Sequence, residues 1–456
     1  MKATTLQHIQ TELQDELKVT LDRLARTPQK ERHIQRAEIS VEHLDPISWL
    51  NAQTFVSKIF WARRDQVTSV AGAGAVHHII TDSLDIMRIL RDHLQHSHPH
   101  IRYFGGMRFD IDQDIDLIWL PFAKFRFVIP RFELITSEAG QTLAINFLVQ
   151  PDQDFTKLNQ ELNQHIEKLN FSEPVSDQAL PELKSQTETP SQAEWQEIVN
   201  AALSDIQQQQ FDKIVLASKR VLEFLQTINP LNLLQQILKK NGNSFHFAFQ
   251  FQNEYSFIGM TPECLFQRIG DDLYTEAIAS TRKRGATPEE DEALAQELLQ
   301  SDKDLREHRW VKKMIVDRLQ PYCEEIQSTS DESLLKLTNV QHLFSEFHAA
   351  LKPGVNNEQL LKALHPTPAV GGYPKDKSVE RIAQLEPFDR GWYAAPVGWV
   401  SRNEAEFAVA IRSALVHKNM LHIYAGSGIV QGSDPQKEWE ENRNKAQNFL
   451  QLFERA

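Results

Sequence analysis

Strand-like segments follow one another along this chain with only short turns between them. They include FVSKIFWARR and TLAINFLVQ in the first third, and KIVLASKRVLEF, SFHFAFQF and LYTEAIAS later, all rich in alternating β-branched or aromatic residues. Parallel strands need long crossover connections, so consecutive strands joined by short turns favour antiparallel pairing. The sequence therefore predicts an α+β fold in which large antiparallel β-sheets are covered by helices.

A change in composition divides the chain. Residues 172–194 are rich in proline, serine, threonine, glutamine and glutamate, which predicts a loose connector. This connector separates a strand-rich N-terminal part, residues 1–171, from a C-terminal part, residues 195–456. Within the C-terminal part, the sequence predicts one long helix over 289–319, a hairpin over 407–428 and a last helix that begins at Pro435.

Charge and cysteine usage exclude several classes of protein. The 456 residues carry 49 Lys+Arg against 62 Asp+Glu, a net charge of -13, whereas nucleic-acid binding needs a basic surface. Cys264 and Cys323 alone form neither a disulfide framework nor a metal-binding CxxC motif, and such usage suits a reducing cytosol. No apolar run approaches the roughly 18 residues that span a bilayer, and the N-terminus lacks a signal-peptide pattern. We expect a soluble, cytoplasmic protein with no nucleic-acid or membrane partner.

Two predicted helices carry acidic residues in unusual places. Glu307 heads an apolar stripe on the 289–319 helix, where a carboxylate costs desolvation energy unless it is paired or binds a cation. On the last helix, Glu438, Glu441 and Lys445 share one face, and the preceding AGSGIVQGSDP places a Gly-rich turn at the helix N-terminus. Each feature alone also fits a solvated helix face. Together they indicate a site for a hard divalent cation and an anionic substrate.

Three charged residues interrupt apolar strand-like segments. They are Lys213 in FDKIVLA, Glu263 in FIGMTPECLF and Arg412 in FAVAIRSA. A buried lysine can lose its proton near neutrality and a buried glutamate can keep one, so each can serve as a base or an acid. The alternative for each is a charge at a sheet edge whose end group reaches solvent.

Nine segments of the C-terminal part together resemble the chorismate-utilising enzymes, and among them the isochorismate synthases. In chain order these are FDKIVLASKR, GMTPECLFQR, TEAIASTRKRG, SDKDLREH, VQHLF, LHPTPAVGGYP, FDRGWYAAPVGWV, FAVAIRSA and IYAGSGIVQGSDPQKEWEENRNK. The resemblance implies a central sandwich-like core of antiparallel sheets with helices packed outside. It also implies an isomerase that converts chorismate to isochorismate, adding water at C2 and losing the C4 hydroxyl, with Mg²⁺ as cofactor.

The motifs carry over residue by residue. Lys213 matches the general base that activates water, and Glu263 matches the general acid that protonates the departing hydroxyl. Glu307 and Glu441 match the Mg²⁺ ligands, with Glu438 expected to reach the ion through water. The substrate-binding residues implied by the same motifs are Ala279, Ser280, Thr281, His342, Tyr393, Arg412, Gly426, Ser427 and Lys445.

Other branches of the family remain as alternatives. Salicylate synthases go on to eliminate pyruvate, and anthranilate and aminodeoxychorismate synthases take ammonia from a glutaminase. The DKIVLA and HPTPAVGG segments favour the hydroxyl-forming branch. A non-catalytic chorismate-binding protein is the alternative from another class, but it predicts the loss of a base, an acid or a metal ligand, and none is lost here.

The resemblance also sets expectations for partners and rate. Chorismate is the expected ligand, with no glutaminase subunit, in a monomer or weak homodimer that feeds menaquinone or phylloquinone biosynthesis. The chain departs from the family pattern at Ser280 and Ala395, where the family usually has glycine, and at Ser427, where it usually has alanine. Each departure adds bulk near the expected ring pocket, which we expect to affect turnover rate more than reaction type.

Overall fold

A computed structural model describes residues 3–83, 85–171, 179–240, 242–328, 333–337 and 340–453 of this protein. The α-helices in these ranges are α1 (Ala3–Ala25), α2 (Pro46–Ala52), α3 (Ile86–Leu94), α4 (Phe155–Ile166), α5 (Gln192–Gln207), α6 (Pro230–Lys240), α7 (Pro288–Gln300), α8 (Asp302–Leu319), α9 (Asn357–Leu364), α10 (Lys375–Leu385) and α11 (Pro435–Leu450). None of the described helices is both long enough and apolar enough to cross a membrane.

The strands belong to two sheets. They are β1 (His33–Val41), β2 (Lys58–Ala62), β3 (Ser69–Ala73), β4 (His77–Thr81), β5 (Tyr103–Met107), β6 (Phe125–Ile129), β7 (Phe132–Ser137), β8 (Gly140–Val149), β9 (Leu183–Thr189), β10 (Lys213–Phe224), β11 (Phe245–Gln252), β12 (Tyr255–Thr261), β13 (Cys264–Ile269), β14 (Asp272–Lys283), β15 (Cys323–Ser328), β16 (Ser333–Lys336), β17 (Val340–Leu351), β18 (Gly372–Tyr373), β19 (Pro396–Val400), β20 (Glu404–Val409), β21 (Ser413–His417) and β22 (Met420–Val430).

Both sheets are antiparallel, as the short connections predicted. The larger one has the order β1-β8-β7-β3-β2-β11-β12-β21-β22-β10-β18, with β9 also paired to β10. The smaller one has the order β15-β17-β14-β13-β20-β19-β5-β6-β4, with β16 paired to β17. Aromatic and aliphatic residues of both sheets fill one core, and helices α1, α2, α4, α6 and α11 enclose a second core with residues of the larger sheet. The predicted fold class is confirmed.

Strands from both sides of the predicted connector occur in each sheet. The division of the chain into residues 1–171 and 195–456 therefore stays a prediction about sequence rather than a boundary between sheets. Residues 172–178 of the connector lie outside the described residues. The expectation of a loose connector is wrong for residues 183–189, because they form β9, which pairs with β10 through the backbone even though its side chains are largely exposed.

Two further predictions of local structure were wrong. The single helix over 289–319 is two helices, since Ser301 has extended backbone angles and caps α8 by accepting a hydrogen bond from Asp304 N. The predicted hairpin over 407–428 is β20 followed by the hairpin β21–β22, and β20 belongs to the other sheet. Arg412 consequently does not interrupt a strand; it lies between β20 and β21 with a φ of +48°.

The chain passes between the two sheets several times, and two of these crossings touch each other. It leaves the larger sheet after β12 and enters the smaller one at β13, and it returns between β20 and β21. The two crossings are tied together by Val409 N, which donates to Glu263 O (3.0 Å), and by Thr261 Oγ1, which donates to Val409 O (2.6 Å). Glu263 and Arg412, far apart in sequence, are thereby carried to the same region of the fold.

Candidate active site

One cavity of about 510 Å³ opens where the two sheets, α8 and α11 meet. It is lined by both crossings, by the bulged end of β14, and by one face of α11. Thirteen of the fourteen residues singled out from the sequence line it: Lys213, Glu263, Ala279, Ser280, Thr281, Glu307, His342, Tyr393, Arg412, Gly426, Glu438, Glu441 and Lys445. Ser427 does not line it.

The strand that carries Lys213 is held by a buried ion pair. Arg390 donates to Glu386 Oε2 (2.8 Å) and both side chains are almost completely buried. The same pair also binds the backbone of β10. Arg390 Nη2 donates to Val215 O (2.7 Å), and Glu386 Oε1 accepts from Ala217 N (2.7 Å). The start of β10, and with it Lys213, is therefore fixed relative to the segment that leads to Tyr393.

Lys213 and Glu307 meet directly in the cavity. Lys213 Nζ lies 3.1 Å from Glu307 Oε1, and Ser280 Oγ donates to Glu307 Oε2 (3.2 Å). Ser280 is where β14 departs from regular pairing with β17, and its φ is +53°, in the region that glycine usually occupies. The lysine is largely buried, whereas the glutamate side chain is 38% exposed, so Glu307 remains open to a ligand entering the cavity.

The carboxyl group of Glu263 has a raised pKa. Burial raises the pKa of Glu263 to about 7, and the nearby Glu276 carboxylate adds to the rise. A hydrogen bond from Thr367 and the charge of Lys213 act in the opposite direction without cancelling it. Glu263 therefore keeps a proton up to near neutral pH, which is the state that a general acid requires.

The cavity face of α11 carries charged residues that are only partly buried. Asp434 caps the helix by accepting from Lys437 N, and the i, i+4 spacing pairs Lys445 Nζ with Glu441 Oε1 (2.8 Å). Lys445 also donates to Gly426 O (2.8 Å), which ties the helix to β22. Ser427 is fully buried behind this face, and its hydroxyl donates to Glu438. Its side chain therefore contacts an acid of α11 and does not line the cavity, and its expected part in substrate binding stays a prediction.

Arg412 faces the cavity together with His342. Burial lowers the pKa of His342 to about 3, with the Arg412 charge contributing, so the imidazole is neutral. Arg412 Nη2 lies 3.4 Å from His342 Nε2, and His342 Nδ1 lies 3.2 Å from Ser280 O. A guanidinium only donates and a carbonyl only accepts, which assigns the ring proton to Nδ1. Burial lowers the pKa of Arg412 to about 10, so it stays cationic and suits a substrate carboxylate.

Glycines of β22 make room for two functional side chains. A Cβ at Gly426 would lie 3.0 Å from Tyr393 Oη, and a Cβ at Gly428 would lie 3.0 Å from Lys213 Cε. The sequence had indicated a Gly-rich loop over these positions, but they lie within β22, and the turn into α11 is formed by the residues that follow. The glycines therefore serve close packing of side chains at the cavity floor.

The acidic residues offer the right donor chemistry for a magnesium ion. Glu307 on α8 and Glu438 and Glu441 on α11 supply carboxylate oxygens to one cavity. Across the described ranges, no three acidic, histidine or cysteine residues lie close enough together to enclose a metal ion by themselves. Mg²⁺ usually keeps several waters and binds through one or two carboxylates plus substrate oxygens, so this donor set fits it.

Comparison with known proteins agrees with this geometry. A family model described as chorismate binding enzyme matches residues 20–454. This chain belongs to the chorismate-binding enzyme family.

Individual family members match over nearly the whole length. Isochorismate synthase MenF of Bacillus subtilis (strain 168) is 31% identical over 432 residues, covering 90% of this chain and 91% of that protein. The chloroplastic isochorismate synthase 2 of Arabidopsis thaliana is 32% identical over 458 residues, covering 92% and 81%. The solved structure of MenF, the menaquinone-specific isochorismate synthase from Escherichia coli, has a TM-score of 0.85 at 28% identity and covers 96% of this chain and 99% of that one.

Sequence reasoning missed three residues of this chorismate-binding enzyme that act on the site through others. Arg390 and Glu386 hold β10, and Thr367 donates to Glu263. Arg390 and Thr367 lie inside segments that carried the family resemblance, and Glu386 lies just before one of them. An i, i+4 acid–base pair beside an apolar segment was the available signal for Glu386 and Arg390; nothing in the sequence alone linked Thr367 to Glu263.

The raised pKa of Glu263 predicts a pH-dependent stability difference. A folded-state pKa of about 7, above the ordinary 4.5, favours the fold below pH 4.5, and this contribution is lost as the pH rises through 7. At pH 8 the ionised buried group costs roughly 3 kcal/mol, since each pKa unit is about 1.4 kcal/mol. Glu263→Gln removes this cost, so its Tm relative to the wild type should rise between pH 5 and pH 8, as measured by calorimetry.

Glu297→Gln is the matched control, because the Glu297 side chain is 61% exposed and lies outside the cavity. Its Tm difference from the wild type should not vary with pH. A Glu263→Gln difference that is equally flat would show that Glu263 ionises at its ordinary pKa.

Proposed function

We propose that this chain is an isochorismate synthase that isomerises chorismate to isochorismate. The observation that carries the proposal is that one cavity holds both a carboxyl group that keeps its proton near neutrality, Glu263, and the amine of Lys213. The relatives named above are isochorismate synthases, and this chain matches them over most of their length, which supports the same reaction.

Binding of chorismate requires compensation of two carboxylates. Arg412 and Lys445 supply positive charge at the cavity wall, and Arg412 is held by the neutral His342. Tyr393 packs its ring against Tyr424 at a centroid distance of 5.3 Å and presents its edge to the cavity near Gly426. We assign ring packing to Tyr393 and to the Ala279–Thr281 segment, because they bring apolar and small polar surface beside the cations. Fixed charges in a closed site need little reorganisation during the reaction.

The chemical step exchanges one hydroxyl for another through the ring double bonds. Lys213 takes a proton from a water molecule as its oxygen bonds to C2, and the π electrons shift as the C4–oxygen bond breaks. Glu263 gives its proton to the departing C4 hydroxyl, which leaves as water, so atoms and charge balance. Lys213 must give up its contact with Glu307 to act as the base, which a ligand that engages Glu307 would favour.

We assign the holding of Mg²⁺ to Glu307 and Glu441, with Glu438 nearby. When bound, the ion supplies positive charge that fixes a substrate carboxylate. Ser280 and Ser427 hold Glu307 and Glu438 respectively through hydroxyl hydrogen bonds, so two of these acids are already oriented by neighbours.

The biological setting is proposed from a structural relative. We propose that the isochorismate enters menaquinone biosynthesis, as the name of the structural relative from Escherichia coli says of that enzyme. Because the nucleophile is water, no glutaminase subunit is needed, and we propose a cytoplasmic enzyme that works as a monomer or weak homodimer.

The proposal predicts product formation that depends on Lys213. The purified protein with chorismate and Mg²⁺ should give isochorismate, identified by chromatography and mass spectrometry. Lys213→Ala should lower its rate by about a thousandfold or more, because the water loses its base. Lys219→Ala is the matched control from the same strand, since Lys219 lies outside the cavity and packs on Phe388; it should keep the wild-type rate.

Other products would refute the assignment in distinct ways. Salicylate plus pyruvate would identify the pyruvate-eliminating branch, and an aminated product with added ammonia would identify the amine-forming branch. Full activity of Lys213→Ala would leave the reaction in place but remove the proposed base.

Removal of one acid on α11 should weaken metal binding selectively. Glu441 and Glu440 are adjacent on α11, but only Glu441 lines the cavity. Glu441→Gln should raise the Kd for Mg²⁺, measured by isothermal titration calorimetry with substrate present, by roughly tenfold or more, since a ligand charge is lost. Glu440→Gln should match the wild type. Equal Kd values for both variants would show that Glu441 holds no metal.

A further inference from the structure

The hydroxyl of Thr367 reaches the carboxyl group of Glu263. Thr367 Oγ1 donates to Glu263 Oε1 at 2.9 Å. The two residues lie 104 positions apart in sequence, on a crossing between the sheets and on the segment between α9 and β18. Within the part of the chain that the structure describes, Glu263 Oε2 has no hydrogen-bond partner. The two carboxyl oxygens are thus in different environments.

The segment that carries Thr367 is fixed on several sides. Gly371 N donates to Thr367 O (2.8 Å), which closes a turn, and Gly371 O accepts from Val215 N (3.1 Å) of the strand that carries Lys213. On the other side, Arg318 Nη1 donates to Pro366 O (3.1 Å), and His365 Nε2 lies 3.1 Å from Phe109 O. The threonine hydroxyl is therefore held in place by the fold rather than by Glu263 alone.

Glu263 is itself held at its backbone. Its amide donates to Thr261 Oγ1 (3.2 Å) and its carbonyl accepts from Val409 N (3.0 Å). With the backbone fixed at the sheet crossing and one carboxyl oxygen bonded to Thr367, little rotational freedom remains for the side chain. A proton donor in a catalytic site needs this kind of fixed direction.

Charged groups on three neighbouring elements surround Glu263. Glu276 on β14 is paired with Arg64 (2.7 Å), Lys213 begins β10, and Arg318 on α8 lines the small cavity behind Glu263. Tyr393 lines the main cavity, and burial raises its pKa, so its hydroxyl stays neutral. Glu276 is the group that opposes ionisation of Glu263, and it does so from a fixed ion pair. Thr367 differs from these groups because it is neutral and donates a hydrogen bond to the Glu263 carboxyl group directly.

We propose that Thr367 is a positioning residue for the general acid. Its hydroxyl donates a hydrogen bond to Oε1 of Glu263, so that Oε2 carries the proton and delivers it to the departing C4 hydroxyl. This inference rests on the proposed function, and it assigns a role to a residue that does not line the main cavity. The bond that Thr367 makes is retained when Glu263 has lost its proton, so it also stabilises the carboxylate that the step produces.

The variant Thr367→Val tests the proposal, because valine keeps the shape and loses the hydroxyl. We expect kcat to fall by roughly tenfold with a smaller change in KM, since the acid loses its direction. The alkaline limb of the pH profile of kcat/KM, which reports loss of the Glu263 proton, should move to higher pH by roughly half a unit to one unit, because a donor to the charged form is gone. Thr367→Ser should restore both values towards those of the wild type.

Thr275→Val is the matched control, since Thr275 is a buried threonine whose hydroxyl donates to Leu265 O (2.7 Å) and does not contact Glu263. It should lower Tm without moving the alkaline limb. A wild-type alkaline limb in Thr367→Val, or the same shift in Thr275→Val, would overturn the proposal. If Thr367→Val fails to fold, Thr367→Ala removes the same hydroxyl and is judged by the same criteria.

A second measurement does not depend on activity. The Tm difference between Thr367→Val and the double variant Thr367→Val/Glu263→Gln, followed from pH 5 to pH 9, reports the pKa of Glu263 in the absence of the hydroxyl. The reference is the Tm difference between the wild type and Glu263→Gln, both of which keep Thr367. A midpoint of the pH dependence at higher pH without the hydroxyl supports the proposal, and an unchanged midpoint overturns it. A wild-type protein that makes no isochorismate would refute the proposed function, whereas an active wild type with an unshifted Thr367→Val refutes this inference alone.

Discussion

The buried pair of Arg390 and Glu386 is the interaction on which the site depends most. Two opposite charges with almost no exposure are stable only if their remaining hydrogen-bonding capacity is used, and here it is used on the backbone of β10 at Val215 and Ala217. Removal of either partner would leave an uncompensated buried charge and remove hydrogen bonds to Val215 or Ala217 of that strand. The position of Lys213 in the cavity is thus supported by an ion pair whose own side chains do not line the cavity.

The place where the chain crosses between sheets explains why polar residues gather there. A strand inside a sheet offers only two faces, and both faces of the larger sheet are occupied by hydrophobic cores over much of its area. At the crossings the backbone is irregular, so Glu263 and Arg412 can turn towards a common cavity at its edge. The same side-chain type then serves two purposes. Glu263, buried, keeps its proton, whereas Glu441, half exposed, remains an oxygen donor suited to a cation.

Local patterns in the sequence predicted the fold class, and the family resemblance indicated thirteen of the residues that line the cavity. Alternating apolar residues and short turns indicated antiparallel sheets, and the i, i+4 spacing on the last helix placed Glu441 beside Lys445, as observed. What the sequence missed was one local helix cap and the contacts that depend on distant pairing. The split at Ser301 needs only a cap and was hidden by a continuous helical pattern. The hydrogen bond of Thr367 to Glu263 spans 104 positions, and the burial of Ser427 depends on where α11 packs.

The central claim is that water, activated by Lys213, adds to one carbon of the ring while Glu263 releases the hydroxyl at another. Reaction of the wild-type protein with chorismate in water enriched in oxygen-18, followed by mass spectrometry of the product, tests this most directly. The account predicts isochorismate that contains one oxygen-18 atom in place of oxygen-16, in the hydroxyl group at C2. Isochorismate without the label would mean that the original hydroxyl migrates within the substrate, and it would contradict the proposed roles of both residues.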